Sequence, residues 1–101
     1  MAETFKPLAQ TYADTSAGTI YTVPVSTATI IKHIRVVNED VATRTIALLH
    51  NSNYILPATS IAAGGWAEYD GTICMSASDT LAADGEAASV LKVSVYGVEI
   101  T

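Results

Sequence analysis

The stretch Leu91-Lys-Val-Ser-Val-Tyr-Gly-Val-Glu-Ile100 decides the fold class of this 101-residue chain. Apolar residues occupy every second position from Leu91 to Val95, and the residues between them are polar or amphipathic. Successive side chains of a β-strand point to opposite faces of a sheet, so the alternation predicts a strand with one buried face. Beyond Gly97 the apolar positions move to Val98 and Ile100, which predicts a bulge or bend at the glycine.

The rest of the chain has the same character, because it is rich in the β-branched residues Thr, Val and Ile and is divided by turn-forming residues. The predicted strands are Phe5–Gln10, Thr19–Val23, Thr27–Asn38, Ala42–Asn51, Tyr54–Ile61, Trp66–Asp70, Thr72–Ser76 and Ala88–Ile100. We expect Ala42–Asn51 to pair with Thr27–Asn38 as a hairpin, and we expect little or no helix beyond a short turn at 79–83. Seven or eight short strands about ten residues apart predict an all-β fold, an antiparallel sandwich or barrel.

Composition limits the function classes. The chain is 50% apolar and 15% charged, against roughly 25% charged in an average soluble domain, so we predict one ordered domain with apolar surface left for partners. A net charge of −5 argues against nucleic-acid binding. No run approaches the roughly 18 apolar residues of a membrane span, and from the residues Met1 to Thr4 we expect no secretory signal. Ile46-Ala47-Leu48-Leu49 is apolar on both faces and requires a second cover, from the chain or from another subunit.

No pattern specifies a reaction. Cys74 lies between apolar residues, which favours a buried thiol over a reactive one. His33 and His50 lack further ligands at metal-binding spacing, so solvated or interface positions are preferred to a metal site. All five Asp residues fall at predicted turns, and neither a Gly-x-Ser-x-Gly elbow nor a phosphate-binding loop occurs. We predict no catalytic residue, no cofactor and no metal.

The candidate binding residues begin with a group of basic side chains. Lys32, His33, Arg35 and Arg44 come together if the predicted hairpin forms, and they hold most of the positive charge of an acidic chain. Solvated strand faces with protective charges are the preferred explanation. The alternative is a partner surface for acidic protein or a symmetry-related copy, to which Arg35 and Arg44 contribute.

Aromatic and apolar residues supply the other candidates. Trp66 and Tyr69 follow a Gly-Gly turn and are either core residues or interface anchors. The first residues of the chain look like an arm or edge segment able to lie on a neighbour, since Pro7 keeps such a segment out of a central strand. The partner-contacting residues predicted in that segment are Phe5, Pro7, Leu8 and Tyr12.

Several stretches resemble a known family. They are Thr19-Ile-Tyr-Thr-Val-Pro-Val25, the Ile30–Asn38 strand, Gly64-Gly-Trp-Ala-Glu-Tyr-Asp-Gly71, Ile73, Ser78-Asp-Thr-Leu81 and the ending Val95-Tyr-Gly-Val-Glu-Ile-Thr101. In this order and spacing they resemble small structural proteins of tailed-bacteriophage virions, across most of the chain from Thr19 onward. The first eighteen residues lie outside the resemblance.

The resemblance implies a jelly-roll-like antiparallel β-sandwich without enzymatic activity. It divides the chain into an N-terminal arm and first edge segment, 1–18, and a sandwich domain, 19–101. It implies a capsid decoration or cement protein, made in the host cytoplasm, which binds the major capsid protein on the head surface as a homo-oligomer, a dimer or trimer. The alternatives are a tail, baseplate or fibre-associated virion protein and, because fold does not fix function, a carbohydrate-binding module or small hydrolase.

Overall fold

The computed structural model describes residues 3–101, which form eight β-strands in two four-stranded antiparallel sheets. The strands are β1 (Glu3–Tyr12), β2 (Gly18–Thr22), β3 (Ala28–Asn38), β4 (Arg44–His50), β5 (Asn53–Ile61), β6 (Trp66–Met75), β7 (Thr80–Gly85) and β8 (Leu91–Ile100). Sheet A has the order β1-β8-β3-β6 and sheet B the order β2-β7-β4-β5. This pair of orders is the jelly-roll topology, so the chain is an all-β antiparallel sandwich as predicted.

The core lies between the inner faces of the two sheets. Ile34 and Val93 of sheet A and Leu48 and Leu81 of sheet B are fully buried there. Ile34, Val93 and Leu81 belong to strands whose buried residues recur at every second position for at least part of their length, whereas Leu48 lies in a run of four buried residues in β4. The alternation of the sequence therefore builds one apolar layer from two sheets.

The predicted hairpin of the third and fourth strands is wrong. β3 pairs with β6 and β8 in sheet A, whereas β4 pairs with β5 and β7 in sheet B. The connection 39–43 crosses from sheet A to sheet B, so the chain neighbour of β3 is not its sheet neighbour, and Ile46 to Leu49, all buried, lie in a central strand of sheet B. The second cover comes from the chain itself, and the register partners of Leu49 are Tyr54 and Ala82.

Two further elements differ from the prediction. Asp70 and Gly71 do not form a turn, because β6 continues through them to Met75 and pairs with β3 on both sides of a bulge. The segment 79–83, expected to be a turn, instead belongs largely to β7, a central strand of sheet B. Residues 3–101 contain no helix, so this part of the chain has none that crosses a membrane.

The apolar phase change in β8 also has a different origin from the one predicted. β8 alternates without a bulge, and the register shifts lie in its neighbours, at Leu8 of β1 and Lys32 of β3. Gly97 faces inward, and a Cβ placed there would lie 2.3 Å from the carbonyl oxygen of Ile30. Val98, one residue further, faces outward. The phase change therefore marks a place where the outer face of sheet A becomes apolar.

The first segment is an edge strand rather than an arm that leaves the sheet. β1 pairs with β8 from Glu3 to Tyr12, interrupted only by the bulge after Pro7. The sandwich therefore includes this segment, in agreement with the edge alternative of the prediction.

Polar side chains fasten the sandwich at both ends. The amide of Asn38, fully buried, donates to the carbonyl oxygens of Ala42 and Ile61 at 2.9 Å each and so ties sheet A to sheet B. At the other end Tyr21 donates to Glu99 at 2.5 Å, and Lys6 approaches the same carboxylate at 2.7 Å. Burial and the Glu99 contact raise the pKa of Tyr21 to about 12, and Lys6 followed by Tyr21 lowers the pKa of Glu99. Tyr21, Glu99 and Lys6 therefore stabilise the fold by linking β2 of sheet B to β8 and β1 of sheet A.

Candidate interaction surface

An apolar row crosses the outer face of sheet A from one edge to the other. Phe5, Val98, Ile30 and Cys74 are consecutive register partners in β1, β8, β3 and β6. Register partners point to the same face of a sheet, so these four side chains stand side by side. Phe5 is 68% exposed, Cys74 is exposed, and Val98 and Ile30 are half-buried. We call these four residues the apolar row.

Cys74 was predicted to be a core thiol, and the structure corrects this. The buried residues of this part of β6 are its neighbours Ile73 and Met75, which leaves Cys74 on the opposite face. The apolar triplet Ile73-Cys74-Met75 does not by itself indicate which of its members face inward. The register with β3 decides the orientation, because Ile73 pairs with the buried Ile31 and Cys74 pairs with the outward-facing Ile30.

The middle of the same face is polar and internally paired. His33 places Nε2 at 2.8 Å from Glu68 Oε2 and Nδ1 at 2.5 Å from Asp70 Oδ1. Its ring also lies 6.3 Å from that of Tyr96, centroid to centroid. The histidine thus occupies a surface network within sheet A. Among residues 3–101 no group of three or more His, Cys, Asp or Glu side chains is arranged to hold a metal ion.

The far end of the face carries two stacked cation and aromatic pairs, which we call the aromatic end. The guanidinium carbon of Arg35 lies 4.6 Å from the ring centroid of Trp66, and Lys92 Nζ lies 4.7 Å from that of Tyr12. Tyr12 also donates to Glu39 Oε1 at 2.6 Å, and this bond together with the carboxylate charge raises the pKa of Tyr12. These contacts hold large side chains in fixed positions at the surface.

The eight predicted partner-contacting residues separate into three groups. Sheet A presents Phe5, Pro7, Tyr12, Arg35 and Trp66 on its outer face. Leu8 and Tyr69 instead pack against the core. Arg44 begins β4 in sheet B, where its Nε donates to Asp40 Oδ2 at 2.7 Å. The structure therefore brings five of the eight together and separates Arg35 from Arg44.

Sequence reasoning missed three members of the apolar row, namely Val98, Ile30 and Cys74. The signal was present, because the change of apolar phase after Gly97 reports an apolar outer face. It was attributed to a bend instead. Only the register of four strands shows that Val98 meets Ile30 and Phe5 in one row.

Comparison with known proteins finds no matching family model and no matching curated protein. Among solved structures, the chain is similar to a family 35 carbohydrate binding module from Clostridium thermocellum, with 12% identity, a TM-score of 0.41 and coverage of 100% of this chain and 99% of that one. It is also similar to an Arthrobacter globiformis T6 isomalto-dextranase complexed with panose, with 17% identity, a TM-score of 0.34 and coverage of 96% and 23%. Both likenesses are too weak to assign a family or a function.

Proposed function

We propose that this chain is a structural virion protein of a tailed bacteriophage, a decoration protein that binds the major capsid protein on the outer head surface and stabilises the shell. The observation that carries the proposal is the apolar row, which crosses all four strands of sheet A with Phe5 and Cys74 exposed and Val98 and Ile30 half-buried. Exposed apolar bands of this kind are typical of surfaces that bind other proteins. The sequence resemblance to small virion proteins supports the same role.

The two ends of the outer face suit different partners. The apolar row packs against a second copy of the chain, because interfaces within homo-oligomers are more apolar than transient ones. The aromatic end faces the capsid, since Tyr, Trp and Arg are the preferred anchors of interfaces with a polar rim. An oligomer presents several such ends at once, and the high effective concentration strengthens attachment to a repeating shell.

A head location is preferred to a tail location because the loops are short. None of the connections between the eight strands exceeds five residues, as the strand bounds show. Binding functions of β-sandwich proteins are often carried by longer loops on a rigid scaffold. This chain offers instead the face of a sheet, which suits contact with a broad protein surface.

Copy number in the particle tests the proposal. Mass spectrometry of purified virions of the phage that encodes this chain should report its amount relative to the major capsid protein. We expect a ratio that corresponds to hundreds of copies per head. A few copies or a few tens would place the protein in the tail, and absence from the particle would overturn the virion role.

Sedimentation of the purified chain tests the oligomer separately. We expect a dimer or trimer at micromolar concentration. A monomer at the highest concentration reached would contradict the assignment of the apolar row to a second copy.

A further inference from the structure

The outer face of sheet B carries an open cavity of about 500 Å³. Its floor includes Ala47, whose side chain is the smallest in β4. Pro57 and Ala58 of β5 together span the position opposite Ala47, because the register between the two strands shifts there. A small side chain beside a bulged edge strand leaves a depression in the sheet surface.

The two sides of this cavity differ in chemistry. One side is apolar and consists of Pro57 and the ring of Tyr54, which is 65% exposed. The other side is polar, and its side chains are Thr15, Thr45, Asp84 and Glu86. The carboxylates accept hydrogen bonds only, and the hydroxyls donate or accept. Among residues 3–101, no Lys, Arg or His lines the cavity, so no cationic side chain is placed to bind an anion.

This combination selects a ligand with an apolar face and a rim of hydrogen-bond donors. A sugar ring has both, because its C–H groups form one face and its hydroxyl groups surround it. A flat aromatic ring receives the apolar face, and carboxylate oxygens accept from the hydroxyls. The cavity volume also falls within the roughly 300 to 1,000 Å³ of small-molecule sites, which is more than one protein side chain requires.

A cation is the competing ligand, since two acids face the cavity. Attraction between exposed charges is weak in water, however, and contributes roughly 0 to 1 kcal/mol per pair. Glu86 is exposed and already accepts a hydrogen bond from the backbone N–H of Thr45 at 3.2 Å. Apolar contact with Tyr54 and Pro57 therefore contributes more to ligand binding than attraction between charges does.

From this geometry we propose that the cavity binds a neutral saccharide of one or two rings. Tyr54 is the stacking platform, and Asp84 and Glu86 accept hydrogen bonds from ring hydroxyls. The site lies on the opposite sheet from the apolar row, so saccharide binding does not depend on the virion role.

Nuclear magnetic resonance titration of the ¹⁵N-labelled chain tests the proposal. The probes are glucose, galactose, lactose and maltose, with glucuronate as an anionic sugar and L-argininamide as a cation. We expect saturable shifts of the Ala47, Ala58 and Asp84 amide signals with at least one neutral sugar, and weaker binding of glucuronate. Shifts with argininamide alone, or with no probe, would overturn the saccharide assignment.

Variants identify the groups responsible. Tyr54→Ala should weaken sugar binding ~10-fold, because an aromatic contact contributes up to about 1.5 kcal/mol, while Tyr54→Phe should retain it. Asp84→Asn, which removes the charge but keeps one acceptor oxygen, should weaken it ~3-fold. Val41→Ala is the control, since Val41 is 94% exposed and lies outside the cavity. Equal affinity for Tyr54→Ala and Val41→Ala would contradict the proposed platform.

Discussion

The two sheets of this sandwich share one core but present different outer faces. Sheet A has a row of four apolar partners in register, from Phe5 at one edge to Cys74 at the other. Sheet B has a depression beside Tyr54, where β5 shifts register against β4. A continuous row meets another broad surface, whereas a depression encloses a small ligand. The position of a register shift therefore decides whether the outer face of a sheet suits a broad partner or a small ligand.

The largest expected effect comes from breaking the register of sheet A at Gly97. A side chain there would place Cβ 2.3 Å from the carbonyl oxygen of Ile30, a backbone atom that has no freedom to rotate away. Gly97→Val should therefore lower the free energy of unfolding by about 3 kcal/mol, as overpacking of a core does. Urea denaturation followed by circular dichroism measures the change.

Gly71→Ala is the matched control within the same sheet. The nearest atom to a Cβ at Gly71 is Cε1 of the Tyr69 side chain at 3.4 Å, an ordinary contact. We expect a change under about 1 kcal/mol. Equal losses in both variants would mean that the close approach of β8 to β3 does not set the register.

Sequence pattern predicted the strands of this fold better than their partners. The alternation of Leu91 to Val95 is local and therefore visible, because burial of one face repeats every second residue. Which strand lies beside β4 depends on surfaces distant in sequence, and the wrong hairpin with β3 followed from treating chain neighbours as sheet neighbours. The jelly-roll order came from the family resemblance rather than from the pattern.

The candidate sites show the same difference between what local sequence predicts and what strand register determines. Trp66 was predicted as a contact residue because aromatic side chains are preferred interface anchors, and Phe5 because it lies in a first segment able to contact a neighbour. Their common face with Val98 follows from register, which the sequence does not encode locally. The cavity beside Tyr54 was not predicted at all, since it arises from a register shift at Pro57 and Ala58.

A charge placed in the apolar row should dissociate the oligomer. Ile30 points outward and is half-buried within the row, so Ile30→Lys would place an ammonium group in the proposed interface between copies. An unpaired buried charge costs several kcal/mol, and we expect self-association to weaken ~100-fold or more. Sedimentation equilibrium gives the dissociation constant.

The control adds the same charge to the other sheet. Ser60 is exposed in β5, and Ser60→Lys should leave the oligomer intact. If Ile30→Lys associates as tightly as Ser60→Lys, the apolar row is not the interface between copies.

Charge reversal separates two arginines that the sequence had placed together. Arg35 stacks on Trp66 at the aromatic end, so Arg35→Glu should weaken binding to capsids ~5-fold at low salt and less at high salt. Arg44 lies in sheet B and is bound to Asp40, so Arg44→Glu should leave capsid binding unchanged and lower the urea midpoint slightly. Cosedimentation with capsids that lack the protein measures binding. Equal weakening by both variants would point to net charge rather than to the aromatic end.

The smallest expected effect is on stability at low pH, and it compares the carboxylates beside His33 and His50. In sheet A the partners of His33 are Glu68 and Asp70, whose side chains are 32% and 80% exposed; in sheet B the partner of His50 is Asp79, at 3.1 Å and 24% exposed. Hydrogen bonds from the Asn51 side chain, the Ser76 backbone N–H and His50 lower the pKa of Asp79 from 3.8 to about 2. The folded state thus favours the carboxylate. This contribution is complete above about pH 4 and is lost as the pH falls toward 2.

Asp79→Asn should therefore be less stable than wild type at pH 7 but lose less stability between pH 5 and pH 2. Urea midpoints across that range measure the slope, and Asp70→Asn controls for the loss of one carboxylate. Part of the slope should remain in the variant, because the Arg44 contact lowers the pKa of Asp40 and the Lys6 contact that of Glu99. A slope as steep in Asp79→Asn as in wild type would assign the acid sensitivity of the sandwich to these carboxylates and not to the turn that precedes β7.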